Sequence, residues 1–162
     1  MNPNANVLPL SKITELKKKL LGKKIVLVGG CFDIFHFGHL HFLREAKKMG
    51  DVLVVLLESD AYISRGKRKK PVHTQEQRAE ILSSLRMVDY VVLLPELKHP
   101  DAEYERIVSV IRPTMIPITK EDPLYEKKVQ LAVKWGAGSL EIHHLSSFSS
   151  SHIVQYASIL RD

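Results

Sequence analysis

The chain has 162 residues, 44% of them hydrophobic and 26% charged, with a net charge of +6 at pH 7. That length supports one domain with a sizeable core, and that composition is globular rather than disordered. A lone cysteine, Cys31, rules out an intramolecular disulfide or a multi-cysteine zinc site, no apolar run approaches the roughly 20 residues that span a bilayer, and the positive balance favours an anionic partner.

The opening Met-Asn-Pro-Asn-Ala-Asn lacks the charged start and apolar middle of a secretory signal, so a cytoplasmic location without membrane insertion is expected. Ser11 is placed to cap a short helix running to Leu21, with Ile13, Leu16 and Leu20 on one side. Gly22 then turns the chain into the apolar run from Ile25 to Val28, whose length and β-branching suit a buried strand. The same alternation continues with a helix from about Phe37 to Met49, a strand from Val52 to Leu57, a helix from about Thr74 to Leu85 and a strand from Val88 to Leu94. It goes on through a helix from Ala102 to Ile111, a run from Met115 to Ile118 broken by Pro117, a helix from Pro123 to Trp135 and a run from Leu140 to Leu145. A last helix should start near Ser149 to Ser151 and reach about Leu160. Right-handed crossovers between about five such strands predict a single α/β domain, an open parallel five-stranded sheet with helices on both faces. Ligands bind such sheets at the carboxyl ends of the strands.

The residues after the first strand carry the chemistry. Gly29 and Gly30 let the backbone turn and approach a ligand closely. His36 and His39, about one turn apart at the positive end of a helix, then face the place where phosphate binds best. Cys31 lies in the same loop, where a thiolate would be stabilised, although a small filler is the simpler role. A second cluster, Ser64 to Lys70, is strongly basic and follows the next strand, so it can fold over the same sheet edge and supply positive charge to a transition state. The third, Ser149-Ser150-Ser151, offers hydroxyls at a helix start.

Gly30, Phe32, Asp33, His36, Gly38 and His39 match a G-x-F-D-x-x-H-x-G-H pattern, and with it the chain resembles the cytidylyltransferase-like nucleotidyltransferases. The resemblance implies a Rossmann-like sheet of strand order 3-2-1-4-5 and a domain over 22–162, with 1–21 as an extension carrying the short helix. It implies catalytic His36, His39 and Lys67, the last by its spacing to Glu76, Arg78 and Asp89, with Lys69 as the next candidate. It also implies nucleotide contacts from Gly30, Cys31, Phe32, Asp33, Gly38, His39 and Ser149, Ser150 and Ser151, and substrate contacts from Lys69 and Arg78, although Arg78 on an amphipathic helix could equally be exposed or salt-bridged. Mg2+ is implied as cofactor, with Asp33 as a candidate ligand beside the substrate phosphates. The partners implied are ATP or CTP and a phosphorylated sugar or alcohol. A homodimer, common among relatives, is consistent with Arg86 and Asp89 near an interface.

The stretch from Gly22 through Gly-Cys-Phe-Asp looks most like the heptose 1-phosphate adenylyltransferases, while Lys67 to Asp89 fits glycerol 3-phosphate cytidylyltransferases nearly as well, and an FAD synthetase acceptor stays open. A non-catalytic nucleotide or RNA binder is the alternative of another class. The complete His36, His39 and Lys67 set and a basic segment without aromatics for base stacking argue against it and against a nucleic-acid partner. A metal site of His36, His39 and His41 is disfavoured because His41 would point away from the others on a helix.

Overall fold

The computed structural model describes residues 6–67, 70–143, 145, 148 and 150–159. Four strands, Val7–Pro9 (β1), Ile25–Gly30 (β2), Val52–Leu57 (β3) and Tyr90–Leu93 (β4), pair in parallel in the order β1-β4-β3-β2. Seven α-helices are present among the described residues: Ile13–Lys19 (α1), Phe37–Lys47 (α2), Asp60–Lys67 (α3), Gln75–Ser83 (α4), Pro100–Ile111 (α5), Tyr125–Lys134 (α6) and Ser150–Ile159 (α7).

The sheet is covered on both faces, and the strands' alternation sorts the core. Ile25, Leu27, Val54, Leu56 and Val92 pack with Leu16 and Leu20 near α1, Ile107, Val108 and Ile111 of α5, and Ala132 of α6. Val26, Val28, Leu53, Val55, Leu57 and Val91 face the other way, onto Leu43 and Ala46 of α2 and Ala79 and Leu82 of α4. Every residue of β3 is buried, which is why Val-Leu-Val-Val-Leu-Leu reads as an unbroken apolar run.

The expectation of five strands is corrected to four. Among the described residues the stretches around 115–118 and 138–141 lie on the β2 side but make isolated parallel bridges, Val26 to Met115, Met115 to Gly138 and Ile118 to Glu141. Pro117 has no N–H for a ladder, which limits regular pairing there. The fourth strand comes instead from the N-terminal stretch: β1 docks on β4 through Val7, Leu8 and Pro9, and so short a strand gives no periodic signal. Ser11 is also not a cap. It lies in a 3-10 turn, Leu10–Lys12, and α1 starts after Lys12 with no side-chain cap.

The helix expected from about Thr74 is capped there. Thr74 Oγ1 accepts from Gln77 N at 3.3 Å and Gln77 Oε1 accepts from Thr74 N at 3.0 Å, a reciprocal capping box. The basic cluster is less of a loop than expected, because α3 carries the chain from Asp60 through Lys67. Ser59 Oγ accepts the Tyr62 N–H at 3.2 Å at its start, and the basic residues gather toward its end, where they complement the helix dipole.

Candidate active site

The motif sits at the carboxyl end of β2, as the sheet rule requires. His36 is the extended N-cap residue of α2 and His39 lies one turn into that helix. Their rings stack with centroids 3.8 Å apart and planes 23° from parallel. His39 is steadied from the other side by Phe32, edge-on at 5.1 Å, and by Phe35 at 5.7 Å. Phe32 adopts a left-handed backbone (φ 49°) and is buried, so the loop is bent sharply to bring this ring under His39.

The start of α7 meets the start of α2. Phe148 packs edge-on against Phe37 at 5.1 Å, and a Cβ on Gly38 would lie 2.7 Å from the Phe148 carbonyl oxygen and 3.0 Å from the His36 ring. Only glycine fits between them. The first and third sequence clusters are thereby brought together, with Ser150 opening α7. Ser149 and Lys69 lie outside the described residues, and of Lys67 and Ser151 only the helical backbone is described.

Beside His39, with His36 stacked behind it rather than in the lining, is a cavity of about 210 Å³. One wall comes from the motif: Gly29, Gly30, Cys31, Phe32, Gly38 and His39. The opposite wall, which sequence reasoning did not single out as a site, includes Thr119, Asp122, Lys128 and His143. Asp122 Oδ2 accepts from Lys128 Nζ at 2.5 Å.

Two expected ligand-contacting side chains are spent inside the protein. The Asp33 carboxylate accepts the N–H groups of Val72 and His73 at 3.0 Å. Among the described residues no group of three or more His, Cys, Asp or Glu is arranged to hold an ion. Arg78, expected to touch substrate, is completely buried. It donates to the His73 carbonyl, the Cys31 carbonyl and Asp60, so it lies beneath the site. Asp89, considered for an interface, accepts from Lys47 Nζ and the Leu53 N–H within the chain.

Sequence reasoning also missed Glu58 and Tyr104. Glu58 follows β3, its N–H donates to the Gly30 carbonyl at 3.1 Å, and its side chain accepts from the Tyr104 hydroxyl. Burial pushes the Glu58 carboxyl above its ordinary value and, with the carboxylate alongside, pushes the Tyr104 phenol well up. A Cβ on Gly29 would approach the Tyr104 oxygen to 3.3 Å, so this pair props the glycine turn from below.

A stacked histidine pair at a helix start, set at a strand's carboxyl end, coincides with a match of residues 27–133 to the cytidylyltransferase-like family. The chain belongs to that family. Among similar proteins, the bifunctional protein HldE of Aliarcobacter butzleri is 41% identical over 118 residues, which are 71% of this chain and 24% of that protein. The FAD synthase of Thermococcus sibiricus is 41% identical over 97 residues, 59% of this chain and 63% of the synthase. This cytidylyltransferase-like chain thus spans about a quarter of that HldE protein. Among solved structures, the lipopolysaccharide core biosynthesis protein of Thermoplasma volcanium superposes with a TM-score of 0.60 at 30% identity, covering 76% of this chain and 97% of that one. The pantoate-beta-alanine ligase of Francisella tularensis, at 15% identity and a TM-score of 0.61, shares the fold.

Proposed function

We propose that this chain is a nucleotidyltransferase that moves AMP from ATP to a phosphorylated sugar and releases pyrophosphate, as heptose 1-phosphate adenylyltransferases do. The observation that carries this reading is the His36–His39 stack at the start of α2, beside the cavity and against the start of α7. An oxygen of the acceptor phosphate attacks the α-phosphorus in line; the new P–O bond forms as the bond to the pyrophosphate oxygen breaks. The protein's task is to position two anions and to neutralise the charge that develops on the departing side.

His36 and His39 donate hydrogen bonds to phosphate oxygens, Lys67 at the end of α3 supplies a cation between the α and β phosphates, and Ser149 to Ser151 anchor the triphosphate tail at the start of α7. Magnesium, implied by the family resemblance, would screen the charge of the triphosphate and would take substrate oxygens and water as ligands. No described helix is long and apolar enough to cross a membrane, and a cytoplasmic enzyme fits this reading.

The similarity to bifunctional HldE proteins favours the sugar phosphate, and the similarity to an FAD synthase at the same identity keeps a flavin phosphate as the second reading. Pyrophosphate release from ATP and CTP, each crossed with heptose 1-phosphate, glycerol 3-phosphate and riboflavin phosphate, separates them. ATP with heptose 1-phosphate should be fastest. Fastest release with riboflavin phosphate would move the chain to the second reading, and no release with any pair would overturn a catalytic role.

A further inference from the structure

We propose that Arg78 is a positioning residue, one buried guanidinium that sets α3 against the histidine motif by holding the motif loop, the start of α3 and the chain's return at His73. The proposal rests on the reading above for its catalytic consequence and on geometry for the rest.

Three donors go to three different places. Nη1 donates to the Cys31 carbonyl at 2.6 Å, in the loop that lines the cavity. Nη2 donates to Asp60 Oδ1 at 2.6 Å, and Asp60 is the first residue of α3, whose last residue is Lys67. Nε donates to the His73 carbonyl at 3.2 Å, where the chain returns after the basic residues. The basic segment therefore leaves and re-enters at points tied to one planar group, and through it to the motif. Asp33 repeats the second tie independently by accepting from Val72 and His73.

The side chain has no exposed surface, so it reaches no ligand from where it lies. An apolar residue would fill this inward face of α4 without the cost of desolvating a cation. What an apolar residue, or a lysine, lacks is the rigid fork that fixes three acceptors relative to one another. The half-exposed Asp60 gains little from the ion pair itself, so geometry rather than attraction is what Arg78 contributes.

The test uses Arg78→Lys in the full chain, read by hydrogen exchange and by pyrophosphate release from ATP and heptose 1-phosphate. Amides of α3 should exchange about tenfold faster while those of α5 stay unchanged, consistent with local rather than global opening. The kcat should fall by up to about 100-fold with a much smaller change in KM for ATP, as expected when a reacting geometry is displaced. Placed on a Lys67→Ala background the same substitution should cost less than about threefold, because both changes act through one segment. Unchanged exchange in α3, or penalties that multiply, would overturn the proposal. Asp60→Ala removes one acceptor, and so one tie, at a half-exposed position and should show the same pattern more weakly, which keeps the test decisive if the lysine variant does not fold. Should wild-type protein release no pyrophosphate from any substrate pair, the functional reading fails, and the exchange result alone decides whether Arg78 sets the segment.

Discussion

Asp33 and His73 are joined twice: the His73 N–H donates to Asp33 Oδ1 at 3.0 Å, and His73 Nδ1 lies 2.9 Å from the Asp33 carbonyl oxygen. A carbonyl only accepts, so Nδ1 carries the hydrogen. The motif loop is thus fastened to the start of α4, and the aspartate in the middle of the motif serves the fold before it serves a ligand.

Asp33→Ala removes the acceptor of the Val72 and His73 N–H groups. We expect a loss of about 1–3 kcal/mol, the worth of hydrogen bonds to a charged group, seen in chemical denaturation, together with slower pyrophosphate release. Wild-type stability in this variant would contradict the clamp.

His36→Ala and His39→Ala should each slow turnover by roughly 100- to 1000-fold, about 2.7 to 4 kcal/mol, by analogy with deleting one preorganised donor to a developing anion. Steady-state release of pyrophosphate measures this, with circular dichroism to show that the fold survives. Normal turnover in either variant contradicts the assigned role.

Gly38→Ala inserts a methyl 2.7 Å from the Phe148 carbonyl oxygen. Either α7 or the His36 ring must move, and overpacking of this kind costs about 1–3 kcal/mol. Lower thermal stability and reduced nucleotide binding by calorimetry should appear together, since one contact joins the two helix starts.

Glu58 gives a pH dependence whose sign follows from its burial. Its carboxyl is raised above the ordinary 4.5 in the folded chain, so the folded state keeps this proton after the unfolded chain has lost it. The contribution to stability is therefore complete below pH 4.5 and declines as pH rises through the folded value. Glu58→Gln keeps an acceptor for Tyr104 and cannot ionise. Relative to wild type it should gain stability as pH rises from about 5 to 8, measured by urea unfolding across that range. A constant difference between the two proteins would rule this out.

Much of this protein is legible before any coordinates. The runs at Ile25 and Val52 and the histidine spacing after the glycines are local signals, set by burial and helical geometry within a few residues. The same residues place a helix start at the carboxyl end of a strand. Tertiary structure decided the rest, because it depends on groups far apart in sequence. The edge strand Val7–Pro9 exists only because β4 offers it a partner. Asp122 and Lys128 join the site only when the chain returns past β2. Arg78 and Asp33 have the residue types of ligand contacts, yet the acceptors and donors nearest to them belong to the protein. A sequence names the groups that can bind charge; the packed chain determines which of them its own backbone has already claimed.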